Sequence, residues 1–180
     1  NGGHSGDDIE KKRANAIKVL DRFLYIELQK TDLRLVSFNS GKMHNAIPRD
    51  GKVVFAVPAA QKEQVKADWN VFMAGVEDEF HVTDRSMEHR LESTEAAKVI
   101  EKKVADNFIR AIQALDNGVF AICQDPELNG MVETSSNVAS IVTSENEISI
   151  VASQRSNVMS NLDNMCNTVA AAYRLAGAKV

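Results

Sequence analysis

The run Val132-Glu133-Thr134-Ser135-Ser136-Asn137-Val138-Ala139-Ser140-Ile141-Val142-Thr143, then Ser144-Glu145-Asn146-Glu147, then Ile148-Ser149-Ile150-Val151-Ala152, decides the fold. β-Branched residues and hydroxyls dominate both arms, and the polar quartet between them is a turn. The run therefore predicts two strands joined by a short connection. Downstream, Val158, Leu162, Met165, Val169 and Leu175 predict a helix over about 158–176, stopped at Gly177. Upstream, Asp116-Asn117-Gly118 ends another helix. That helix is capped at Ser93 or Thr94 and turns Ala97, Ile100, Val104, Phe108, Ile112 and Leu115 inward. Val119–Cys123 reads as a short strand, and a short edge strand is one reading of Val82–Glu92.

The first part of the chain shows the same order. Ile17, Leu20, Phe23, Leu24 and Leu28 mark one face of a helix over about 8–30, with Ser5 and Asp8 at capping-box spacing. On this reading His4 sits just before a helix N-terminus, where free N–H groups favour negative charge. Leu33–Phe38 and Lys52–Val57 read as antiparallel strands joined through the 45–51 loop. Val65, Trp69, Phe72, Val76 and Phe80 form the stripe of a second helix from about Ala59. Helix, two strands, helix thus occurs twice. The expected fold is α+β, an antiparallel sheet with helices packed on one face, pseudo-duplicated over residues 1–81 and 82–180.

Composition narrows the function. The 180 residues are 44% hydrophobic and 26% charged, with a formal charge of -4, an ordinary globular balance. A nucleic-acid binder would show a basic face. The mixed runs Glu10-Lys11-Lys12-Arg13 and Glu101-Lys102-Lys103 read as solvated helix surface. No apolar run reaches the roughly 18 residues that span a bilayer. Cys123 and Cys166 are far apart and read as small buried residues in a reducing compartment. The chain begins at Asn1 without a signal-peptide pattern, and is expected to be a piece of a longer protein.

Three polar motifs stand out. Gly2-Gly3-His4-Ser5-Gly6 frames an imidazole in flexible backbone, so that it can donate a hydrogen bond to a carbonyl; a plain surface turn is the alternative. Asn45-Ala46-Ile47-Pro48 sets a carboxamide on a loop stiffened by proline, or simply builds an Asx turn. Arg155 ends an apolar strand, where a guanidinium can grip a carboxylate bidentately or make a structural ion pair. His44, His81 and His89 lack companions at zinc-ligand spacing. Ser5 and Ser156 lack a base and an orienting acid. No phosphate-binding glycine loop is present. The hydroxyl-rich Thr134-Ser135-Ser136-Asn137 can line a pocket or bond across a strand face. The set suits holding a peptide but supplies no nucleophile or metal.

Several segments in order resemble the aminoacyl-histidine dipeptidases (peptidase D, Xaa-His dipeptidases), di-zinc exopeptidases with an inserted lid, or dimerisation, domain. They are residues 2–9, Ser37–Gly41, Asn45–Arg49, Asn117–Val119, Val132–Val138, Arg155-Ser156 and Leu175–Lys179. The resemblance spans the chain and is weakest over about 60–110. It implies that residues 1–180 are the lid domain alone, catalytically inert by itself, and that two zinc ions belong to a catalytic domain outside it. His4 matches the family's oxyanion-stabilising histidine, which in many dimeric relatives comes from the partner subunit. Asn45 and Arg155 match the groups that bind the dipeptide and its terminal carboxylate. The implied protein is a cytoplasmic homodimer whose partners are a dipeptide substrate and its own catalytic domain, with no nucleic acid or membrane. A free-standing dimerisation or ligand-binding module, and a sister exopeptidase with the same lid, are the alternatives.

Overall fold

The computed structural model describes residues 2–95 and 98–180. Ala97, expected to face inward on the third helix, lies outside them. In chain order the elements are β1 (Gly3–His4), α1 (Ala16–Leu28), β2 (Arg34–Ser40), β3 (Ala46–Ile47), β4 (Gly51–Ala56), α2 (Lys62–Glu79), α3 (Lys102–Ala114), β5 (Gly118–Ile122), β6 (Val132–Thr143), β7 (Ile148–Ser156) and α4 (Met159–Leu175). Short 3-10 turns precede α1 and α2 at Ile9–Lys11 and Ala59–Gln61. The fold is α+β, as the element order implies.

β2, β4, β5, β6 and β7 form one antiparallel sheet. β6 is its spine. It pairs with β7 from Thr134↔Ser156 to Thr143↔Ile148, with β5 at its start, and with β2 only at Ser40↔Ile141. β2 carries a register shift between Leu35 and Ser37, and β6 carries one between Val138 and Ser140. Each extra residue lets side chains three apart share a face. Leu35 and Phe38 on β2, and Val138 and Ile141 on β6, all enter the same core. The two halves thus place the same irregularity on their corresponding first long strands.

That core is completed by Ile17 and Leu24 of α1, Ala105, Phe108, Ile109 and Ile112 of α3, and Val169 and Tyr173 of α4. Phe38 and Phe108 meet edge to face at 5.8 Å. α2 packs mainly on the outer side of α1, with Trp69 edge-on to Phe23 at 5.0 Å. It reaches the sheet through Phe55 and Val57.

Several boundaries differ from expectation. α1 starts at Ala16, not near Asp8, because Lys12 is left-handed (φ 51) and interrupts the helical path. Its cap is Asn15, whose Oδ1 accepts from the Ile17 and Lys18 N–H groups. His4 therefore precedes a 3-10 turn rather than an α-helix N-terminus. α3 starts at Lys102 with Glu101 as its cap, not at Ser93 or Thr94. The Ile100 N–H donates to Leu35 O at 2.7 Å, which holds that segment against β2 instead of in the helix. Val104 faces solvent, as do Val158 and Leu175 at the ends of α4. No strand forms among residues 82–92. Cys123 is buried but Cys166, expected to be buried, is exposed on α4.

Candidate functional site

β1 and β3 form a small antiparallel pair, Gly3↔Ile47 and His4↔Ala46. The Ser5 N–H extends it by donating to Asn45 O at 2.9 Å. Gly2 makes the approach possible. It is left-handed (φ 62), and a Cβ there would lie 2.9 Å from Ile47 O. Asp8 then locks the turn, because its Oδ2 accepts the His4 N–H at 2.8 Å. The Lys11 ammonium bonded to Asp8, together with that His4 N–H, holds the carboxyl below the usual aspartate range. The capping box expected at Ser5 and Asp8 does not form: Ser5 Oγ is buried without a hydrogen bond among the described residues, and Asp8 accepts the His4 N–H while the Ser5 N–H goes to Asn45 O.

The His4 ring is partly exposed, 39% for its side chain. The Gly6 and Asp7 N–H groups both point at Nδ1, each at 3.3 Å. These two donors suit a lone pair on Nδ1 with the ring proton on Nε2, while the Asp7 carboxylate beside the same nitrogen suits a proton on Nδ1. Asp7 Oδ2 also lies 3.0 Å from Nδ1, so a protonated ring gains a counter-ion.

Arg155 comes to the same place from the other end of the chain. It lies opposite Ser135 on the β6–β7 ladder. Gly6 measures the convergence. A Cβ on it would be 3.2 Å from the His4 ring and 3.3 Å from Arg155 Nη1. Imidazole and guanidinium therefore flank one glycine. Arg155 makes no ion pair with a described residue and faces an open groove of about 650 Å3 shared with Gly6, Asp7, Glu133, Ser135 and Ser156. Asn45 stands beside Ser5, and its Oδ1 is buried without a hydrogen-bond partner among the described residues. Such an acceptor costs stability unless a ligand fills it.

The structure brings His4 and Arg155 together across Gly6 and ties Asn45 to His4–Ser5 through the backbone. Sequence reading missed Asp7 beside the histidine ring and gave Asp8 a capping role rather than that of the acid accepting the His4 N–H, although both follow the motif directly. It also missed Asn15 and Asn117 behind the site, where isolated asparagines carry no local signal. Among the described residues no three His, Cys, Asp or Glu side chains gather as a metal-binding group. His81 Nδ1 instead meets Asp78 O at 2.6 Å, and His89 meets Glu77 at 3.0 Å.

Comparison with known proteins agrees with the motif resemblance. The chain is 35% identical over 179 residues to the cytosol non-specific dipeptidase of Escherichia coli (strain K12), covering 99% of this chain and 36% of that protein. It superimposes on the crystal structure of aminoacylhistidine dipeptidase from Vibrio alginolyticus with a TM-score of 0.93 at 34% identity, covering 99% of this chain and 36% of the other. The chain thus spans about a third of the length of the curated relative it matches. No protein-family model matches it.

Proposed function

We propose that residues 1–180 are the lid domain of a cytosolic dipeptidase, gripping the substrate while a catalytic domain elsewhere in the protein cleaves it. The observation that carries this is the meeting of the His4 imidazole and the Arg155 guanidinium beside Gly6, with Arg155, which has no ion pair among the described residues, lining an open groove. Arg155 binds the dipeptide's terminal carboxylate through its fork of N–H donors. Asn45 adds a carboxamide for the peptide backbone. His4 directs Nε2–H at the carbonyl oxygen and stabilises the charge that develops there during attack.

The family resemblance implies two zinc ions. The described residues do not fit that group, so the ions are assigned to the catalytic domain and no step is routed through them here. The chain alone is expected to be inactive, and the whole enzyme to be a homodimer. Substrates are Xaa-His dipeptides of the carnosine type. A broader range is the second reading, favoured by the non-specific dipeptidase among the relatives. A panel of dipeptides with and without C-terminal histidine, given to the full-length protein, separates the two.

His4→Ala in that protein should lower kcat by about 10²–10³, the cost of one oxyanion donor, with bound metal unchanged by elemental analysis. Undiminished kcat would remove His4 from the reaction.

A further inference from the structure

The sheet has a breach beside the site. β6 pairs with β5 up to Ser136↔Gly118 and with β2 at Ser40↔Ile141, and among the described residues no strand lies against this edge between them. Asparagines close the gap. Asn117 Oδ1 accepts the Val138 N–H at 2.9 Å, and Asn15 Nδ2 donates to Val138 O at 2.9 Å. Side chains thus replace a missing ladder rung. Asn15 Nδ2 also reaches Asn117 Oδ1 at 3.0 Å and Asn137 Oδ1 at 3.1 Å. The amide orientations are fixed together, because Asn15 Oδ1 is committed to the α1 N–H groups.

One carboxamide leaves this cluster toward the site. Asn137, 1% exposed, donates from Nδ2 to Ala46 O at 2.9 Å. Ala46 is the register partner of His4 and follows Asn45 directly. On β6, Asn137 lies two residues from Ser135, which faces Arg155. One strand therefore holds the arginine through its ladder and the histidine hairpin through Asn137. No other hydrogen bond joins β3 to β6 among the described residues.

We propose that Asn137 is a positioning residue that sets the His4–Asn45 hairpin against Arg155. The inference rests on the functional reading above for its effect on turnover, but not for its geometry. Removing the Asn137 amide frees Ala46 O and lets β3, and with it β1, drift from the β6–β7 ladder. A shift of the order of 1 Å in a positioning group can cost roughly 100-fold in rate.

The test uses the full-length protein at a temperature where every variant is folded by circular dichroism. Asn137→Ala should lower kcat/KM roughly 10- to 100-fold and speed hydrogen exchange of the Ser5 amide. Asn39→Ala is the control. It removes a comparable bond, to the Thr143 N–H at 2.9 Å, away from the hairpin. It should lower thermal stability with kcat/KM intact. In a His4→Ala, Asn45→Ala background, Asn137→Ala should have less than about a 3-fold further effect, since a positioning residue acts through what it positions. An undiminished penalty in that background, or an equal loss of kcat/KM in Asn39→Ala, overturns the proposal in favour of simple destabilisation. If His4→Ala proves harmless, the catalytic reading fails, and Ser5 exchange alone judges Asn137: unchanged exchange overturns the positioning, faster exchange upholds it.

Discussion

The β6–β7 pair and the β2–β6 junction belong to one sheet but are held in different ways. β6 and β7 share backbone rungs from Thr134↔Ser156 to Thr143↔Ile148. β2 and β6 share one register pair, and side chains do the rest. Thr143 Oγ1 accepts the Phe38 N–H at 2.9 Å and donates to Phe38 O at 3.0 Å. Asn39 Oδ1 takes the Thr143 N–H, and Lys18 Nζ donates to Leu115 O at 2.6 Å across the same divide between the halves. Gly41 (φ 72) permits the closeness, since a Cβ there would sit 2.0 Å from Ala139 O. A backbone ladder tolerates nearly any residue, because every residue carries the same N–H and C=O. A junction made by side chains depends on identity at each position. The candidate site uses both, since Arg155 stands on the β6–β7 ladder while the His4 hairpin is tied to β6 by the Asn137 side chain.

The largest expected effect comes from the core beneath the junction. Phe38 is fully buried against Phe108. Phe38→Ala should cost about 3–5 kcal/mol, read as a lowered denaturation midpoint. A loss below about 1 kcal/mol would mean that the halves are not joined through this ring.

Next comes the contrast itself. Thr143→Val strands the Phe38 N–H and C=O and should cost about 2 kcal/mol. Ser149→Ala at the neighbouring ladder end removes only a bond to Glu147 and should stay within about 0.5 kcal/mol. Equal losses in urea unfolding would erase the distinction between ladder and junction.

The smallest effect is at the histidine clamp. Asp8 has a depressed carboxyl pKa in the fold, chiefly from the Lys11 contact and then from the His4 N–H. Its contribution is therefore fully present above the ordinary aspartate range near 3.8 and is lost as pH falls through the lowered folded value. Exchange of the His4 amide should speed up on acidification in that window, and Asp8→Asn should remove the dependence. A profile that is the same in both proteins would detach Asp8 from the clamp.

Much of the fold was legible in the sequence. Strand β6 appears with its expected bounds, and β7 begins where the turn places it but runs on to Ser156. Their β-branched residues and polar turn act locally. α2 was legible through its stripe from Val65 to Val76. The starts of α1 and α3 were not. They depend on Asn15, Lys12 and the Ile100 bond to β2, and two of these three act through partners distant in the chain. His4, Asn45 and Arg155 could be picked out as residue types suited to hold a peptide, but not as neighbours.

The sequence by itself determined the element types, their doubled order and the chemical character of the candidate site residues, because periodicity and side-chain chemistry are local properties. Only the tertiary structure decided that residues 4 and 155 meet beside Gly6, and that asparagines fill the missing rung of β6. Each of these depends on hydrogen bonds or close approaches whose geometry exists only after the two halves have met.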